Sequence, residues 1–197
     1  MNNIAEIQDI PGNNGDNGIS TENMGLDINN VGQAVFGFKT RATGNVSFAS
    51  GYRNTAAGST SVAMGNFNYA TGDSSVAIGK NSYAQGASSI AIGFKAHAAG
   101  GGSVALGQEN VSWGSTNFTS GYQNVAGDVT ASAGSGGSAV AMGKYNTASA
   151  DASMALNRGT SATNQAATAM GFRTIADNAG MLAIGVNNAV GEGDTES

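Results

Sequence analysis

Cysteine is absent from the 197-residue chain, and proline, tryptophan and histidine each occur once. Without cysteine there is no disulfide frame, no thiolate nucleophile and no zinc-finger site. The single histidine, His97, excludes a multi-histidine metal site and leaves no spare acid–base pairing. No apolar run approaches the ~18–20 residues of a membrane-spanning helix. The opening segment MNNIAEIQDIPGNNGDNG has neither the basic stretch nor the apolar core of a secretory signal. Charged residues make up only 11% of the chain, and eight Lys and Arg spread singly against thirteen acids do not form a nucleic-acid footprint. Glycine is abundant, at 31 residues, but without the Gly-X-Y period of collagen.

The charge is unevenly placed. Residues 1–36 carry five acids and no base, the middle carries all eight bases, and the last six residues carry three acids. Both acidic ends read as solvated tails around a mildly basic centre.

What is present is a period. Gly37, Gly51, Gly65, Gly79, Gly93, Gly107 and Gly121 are fourteen residues apart. After a gap of twenty-two the spacing resumes at Gly143, Asn157, Gly171 and Gly185. Seven residues after the first marker stands a second: Gly44, Gly58, Gly72, Gly86, Gly100 and Gly114, with Asn164 and Asn178 in the later units. Asparagine is the residue that best shares glycine's left-handed φ, so this exchange predicts a backbone constraint in that column. A unit such as Ser75 to Gly86 holds two short alternating runs, each closed by a turn residue. Such runs are strands, too short for helices. A strand–turn–strand–turn that repeats every fourteen residues is one coil of a parallel β-solenoid, stacked on its copies at about 4.8 Å.

Stacking turns each repeat position into a column. Two alanine columns, running through Ala77 and Ala91 on the first strand and Ala84 and Ala98 on the second, predict a lumen too narrow for larger side chains. Positions flanking the first alanine column point the other way. They hold Val62, Met64, Val76, Ile78, Ile90, Ile92, Val104, Leu106, Val140, Met142, Leu156, Met170 and Ile184. An isolated roll would leave this stripe in water along its whole length, beyond what monomers expose. Burial around a rotation axis parallel to the stack predicts a closed cyclic oligomer with these residues as its interface.

These units, for instance Ser89-Ile90-Ala91-Ile92-Gly93 followed by a small-residue second strand and another glycine, resemble the YadA-like head of trimeric autotransporter adhesins. The resemblance spans about residues 34–191 and implies an all-β, left-handed parallel β-roll of about eleven 14-residue coils, assembled as a homotrimer. Similar repeats, such as Phe48 to Gly58, occur in phage and tail-like fibres. An autotransporter would add a signal peptide, a neck, a coiled-coil stalk and a membrane barrel, and none is read here. The expectation is therefore a virion fibre or decoration protein, with the head of a bacterial surface adhesin as the alternative. Residues 1–33 are read as a polar acidic arm that mounts the trimer on its assembly or is disordered, and 192–197 as an acidic tail.

No catalytic constellation is evident. Asp73, Glu109, Asp128, Asp151 and Asp177 are scattered one per coil or fewer, so the sequence predicts no enzyme, cofactor or metal. Gly134 to Gly137 opens no helix and supports no phosphate loop. Asn45, Asn110 and Asn117 begin Asn-X-Ser/Thr triplets of a kind that arise by chance in such a composition. Binding is better placed on the outer face of the second strand, where Tyr69, Tyr83, His97 and Trp113 follow one another up successive coils. An aromatic stripe suits a host-surface sugar or protein, or else stacks on itself to stabilise the sheet. The extra residues of the long gap, 127–138, predict a loop that leaves the stack and carries binding or is merely tolerated. No nucleic acid and no membrane insertion is expected, and the surface of a virion or a bacterium is the expected location.

Overall fold

A computed structural model describes residues 25–28, 32–128 and 137–190. The chain winds into eleven coils, each a five-residue long strand and a two-residue short strand, from Ala34–Phe38 with Arg41–Ala42 to Leu182–Val186 with Ala189–Val190. The eleven long strands stack in sequence order into one parallel sheet, and the short strands form an 11-stranded second sheet. Every coil pairs in the register of the repeat: Ala77 lies beside Ala91 and Ala91 beside Ala105, with Gly79, Gly93 and Gly107 likewise aligned. Alternation with period two then decides which side chains enter the lumen.

The alanines do. Ala77 and Ala91 of the long strands and Ala84 and Ala98 of the short strands have no exposed surface, and these columns make up the apolar core. So small a lumen cannot supply much apolar burial, and buried polar ladders join it. Three residues after the first glycine marker stand Asn54, Asn68, Asn110, Asn124 and Asn146, all with no exposed surface. The Asn68 side-chain amide donates to the carbonyls of Met64 and Gly79, both at 2.8 Å, while its Oδ1 accepts from the Ser82 amide at 2.9 Å on the next coil. Each asparagine thus satisfies backbone groups at the first turn that the strands leave unpaired.

The two glycine columns serve different purposes. Gly79 takes φ +120°, and a Cβ there would also lie 2.0 Å from the Gly93 carbonyl oxygen. At the second marker the expected left-handed backbone is not found. Gly86 has an ordinary φ, and what excludes a side chain is the next coil, since a Cβ would lie 2.1 Å from the Gly100 carbonyl oxygen. The left-handed residue at that turn is instead Ser88, two after the marker, as Asn81, two after Gly79, is at the first turn.

Within the segment read as an arm, Gly25–Ile28 forms an antiparallel strand on Ala34–Phe38, pairing Gly25 with Gly37 and Ile28 with Ala34. The rest of residues 1–33, apart from Gly32 and Gln33, and the tail at 192–197 lie outside the described residues.

Candidate functional site

The long sheet turns its second face outward, and the residues that alternate with the lumen alanines stand on it. Val62, Val76, Ile90, Val104 and Val140 are half-buried, as are Ile78, Leu106 and Leu156. Met64, Ile92, Met142, Met170 and Ile184 are exposed, Ile184 to 58%. None of the thirteen enters the lumen. The stripe has a further regularity. In the strands Phe48–Tyr52 and Phe118–Tyr122 a serine, Ser50 or Ser120, takes the place of the central aliphatic, and a phenylalanine takes the place of the flanking valine. A large residue beside a small one keeps the outer volume of the rung nearly constant.

On the other sheet, Tyr69, Tyr83, His97 and Trp113 form one continuous ladder. Tyr69 and Tyr83 stack at 5.0 Å between centroids, Tyr83 meets His97 edge-on at 6.0 Å, and His97 meets Trp113 edge-on at 5.7 Å. His97 Nε2 also lies 3.0 Å from Gln85 Oε1, and burial among these groups holds its pKa below 6.5. The four rings support one another and leave an amphipathic strip along four coils. Ser112, which replaces a lumen alanine beside Trp113, has its hydroxyl 2.8 Å from that of Thr119, and it donates to the Val104 carbonyl at 2.6 Å. One polar substitution in the lumen thus answers another.

The interruption of the period is confined to the second turn. Gly127 donates to the Ala148 carbonyl and Ser138 to that of Ser115, while Phe118 still pairs with Val140 and Val125 with Thr147. Nine residues, 128–136, stand where other coils have one, in most of them a glycine. Of the predicted loop, 129–136 lie outside the described residues. Of the Asn-X-Ser/Thr triplets, Asn45 is exposed, whereas Asn110 and Asn117 are buried.

Folding also gathers residues that the sequence shows only singly. Lys39, Arg53, Lys80, Lys95, Lys144, Arg158 and Arg173 all fall one or two places after the first marker, on the edge formed by the first turn. Aromatic residues of the same two columns separate them. Arg53 lies over Tyr52 and Phe67, Lys80 and Lys95 over Phe94, Lys144 over Tyr122 and Tyr145, and Arg158 and Arg173 over Phe172, at 4.9–5.8 Å. Glu109 is the one acid of these columns. Hydrogen bonds from Gln123 and Lys95 hold its carboxyl below the usual range. Asp73, Asp128, Asp151 and Asp177 sit on the opposite edge, at the second turn. Counting each charge from its glycine marker would have revealed the segregation; counting along the chain did not. Among the described residues no cluster of three or more His, Asp or Glu is placed to hold a metal, and no helix is long and apolar enough to cross a membrane.

The YadA head domain repeat matches residues 42–68, 56–82, 70–95, 84–110 and 135–156. The first four matches advance by fourteen residues, the length of one coil, and the unmatched stretch holds the Ser112–Thr119 pair and most of the insertion. No curated protein matches the sequence. Period, stacked alanines, outward aliphatics and these matches agree: residues 42–110 and 135–156 carry YadA-like head repeats.

Proposed function

We infer that this chain is the non-enzymatic head of a homotrimeric surface adhesin, with its thirteen-residue aliphatic stripe buried at the trimer axis and its short-strand sheet turned outward to a host-surface glycan or protein. The observation that carries the reading is the compensated stripe, Phe48 with Ser50 and Phe118 with Ser120 among rungs of Val, Ile, Leu and Met. Each aliphatic side chain left wet forfeits roughly 25 cal/mol per Å², repeated along the whole stack. The aromatic strip of Tyr69, Tyr83, His97 and Trp113 is the candidate ligand face, and residues 1–33 the mounting segment.

Lysine at both Ile78 and Ile92 tests the assembly. Sedimentation is expected to show monomers or aggregates, and an unchanged trimer removes these residues from the interface. Trp113→Ala tests the ligand face: the fold and trimer persist while attachment to host cells weakens, and equal attachment assigns the ring to packing alone. Turnover of any polysaccharide by the purified trimer would overturn the non-enzymatic reading.

A virion fibre built on the same roll would share the trimer and its displayed faces. The repeat family favours the adhesin head, and the genomic flanks separate the two: a barrel-encoding continuation supports a cell surface, neighbouring capsid and tail genes a virion.

A further inference from the structure

We propose that the three seams of the trimer are closed by charge, the cationic–aromatic edge of each protomer docking on the acidic second turn of the next. This rests on the trimeric reading above. Cyclic symmetry makes every interface heterologous, so one edge of a protomer meets the opposite edge of its neighbour. The long strand runs from the second turn to the first, and a long sheet facing the axis therefore brings first turn and second turn together at each seam. With the stack parallel to the axis, equivalent coils lie at equal height, and the repeat number of a residue states its level.

From coil four upward the charges rise and fall together along that axis, whereas Lys39 and Arg53 on coils one and two face second turns, 43–47 and 57–61, that hold no acid. Lys80 and Lys95 stand on coils four and five, and Asp73 lies in the turn leading into coil four. Coils six and seven have Gln108, Glu109, Tyr122 and Gln123 in the basic columns and no cation, and the turns leading into them, 99–102 and 113–116, hold no acid. From coil eight upward both signs return: Lys144, Arg158 and Arg173 on one edge, with Asp128, Asp151 and Asp177 on the other at the turns after coils seven, eight and ten. The five cations are exposed, as are Asp73, Asp151 and Asp177. Among the described residues these three acids form no ion pair within their own chain. The second turns carry no Lys or Arg, so the approach of a neighbour's cations is unopposed. The rings beneath Lys144, Arg158 and Arg173 hold the cations along the edge at fixed height, as cation–π contacts do.

Charge reversal tests this on the intact chain. One variant carries Arg158→Glu and Arg173→Glu, a second Asp151→Lys and Asp177→Lys, and a third all four. Far-UV circular dichroism checks that each roll is folded, and exchange of labelled protomers between trimers is followed at low and high salt. Each two-site variant is expected to exchange on the order of tenfold faster at low salt, two surface pairs being repeated at three seams. The four-site variant is expected to recover the wild-type rate, and high salt to narrow all differences. Equal rates in every variant overturn the seam and leave the trimer standing. Faster exchange that the four-site variant fails to reverse also overturns it, by assigning the loss to the cation–aromatic contacts within one chain. A wild-type chain that sediments as a monomer removes the trimer and, with it, the seam.

Discussion

Alanine at Gly79 places two penalties on one residue, and a second glycine separates them. At φ +120° an L side chain is rarely found, and holding it there costs about 1–3 kcal/mol. The added Cβ would also stand 2.0 Å from the Gly93 carbonyl oxygen, where ordinary contact begins at 3.4 Å, so coils four and five must part by about 1.4 Å. The ladder between them cannot stretch so far. Its Val76 amide lies 2.9 Å from the Ser89 carbonyl, and that shift carries such bonds past hydrogen-bonding range. Losing two of them at about 1 kcal/mol each, on top of the strain, brings the expected cost to about 4 kcal/mol. Gly180 is the control. Its φ is +70° and nothing lies within 4 Å of the position an added methyl would take, so Gly180→Ala bears only the left-handed penalty of about 1–2 kcal/mol. Denaturant unfolding at matched protein concentration compares the two, and hydrogen exchange should place the Gly79→Ala defect in coils four and five, because a solenoid couples mainly nearest neighbours. Equal destabilisation by both substitutions would falsify the steric account.

Asn68→Ala removes the partners of the Met64 and Gly79 carbonyls and of the Ser82 amide, for an expected loss of about 3 kcal/mol. Threonine at the same position should be milder, since Thr160 and Thr174 fill that column elsewhere, and the order of the two melting temperatures is the check. Val46 holds φ 54° while 62% exposed, so Val46→Asn should gain about 1 kcal/mol by relieving a β-branched left-handed residue; a lower melting temperature refutes this. His97 has its pKa held below 6.5 by burial, so the folded chain binds fewer protons than the unfolded one as pH drops through 6.5. Its contribution is complete above that pH, is lost on descending toward the folded pKa, and levels off below it. As the chain's one imidazole, it can be titrated directly by NMR: a midpoint at or above 6.5 contradicts the assignment, and His97→Gln should flatten the stability profile over that window.

Much of the architecture was legible because one period fixes every column at once. Given fourteen residues per coil and two per pleat, Ala77 and Ala91 had to share a face, and Ile78 and Ile92 the opposite one. The ring ladder followed for Tyr69, Tyr83 and His97, which occupy one column, and Trp113 joins it diagonally from two places further on. What escaped the reading was polar. Asn68 and Asn110 look like surface residues by composition, and only the unpaired carbonyls at the first turn explain their burial. The cationic edge escaped because Lys80 and Lys95 are fifteen residues apart in the chain yet share one ring, that of Phe94. The second glycine column was legible as a constraint but not in kind, since a clash with the next coil leaves the same signature as a dihedral requirement. The strand Gly25–Ile28 carries no marker, and its pairing is antiparallel, outside the pattern that located all the others.

Between Gly127 and Gly137 the roll absorbs nine residues in place of one and resumes its pairing on the following rung without a shift. Closing a longer excursion costs little, roughly 0.6 kcal/mol for each doubling. Shape and inserted content are thereby separable: mutation can rewrite the residues held at this level while the rungs above and below keep their pairing. A lineage under pressure to change its outward face, by escape or by a change of host, has here a position where variation is nearly free of structural consequence.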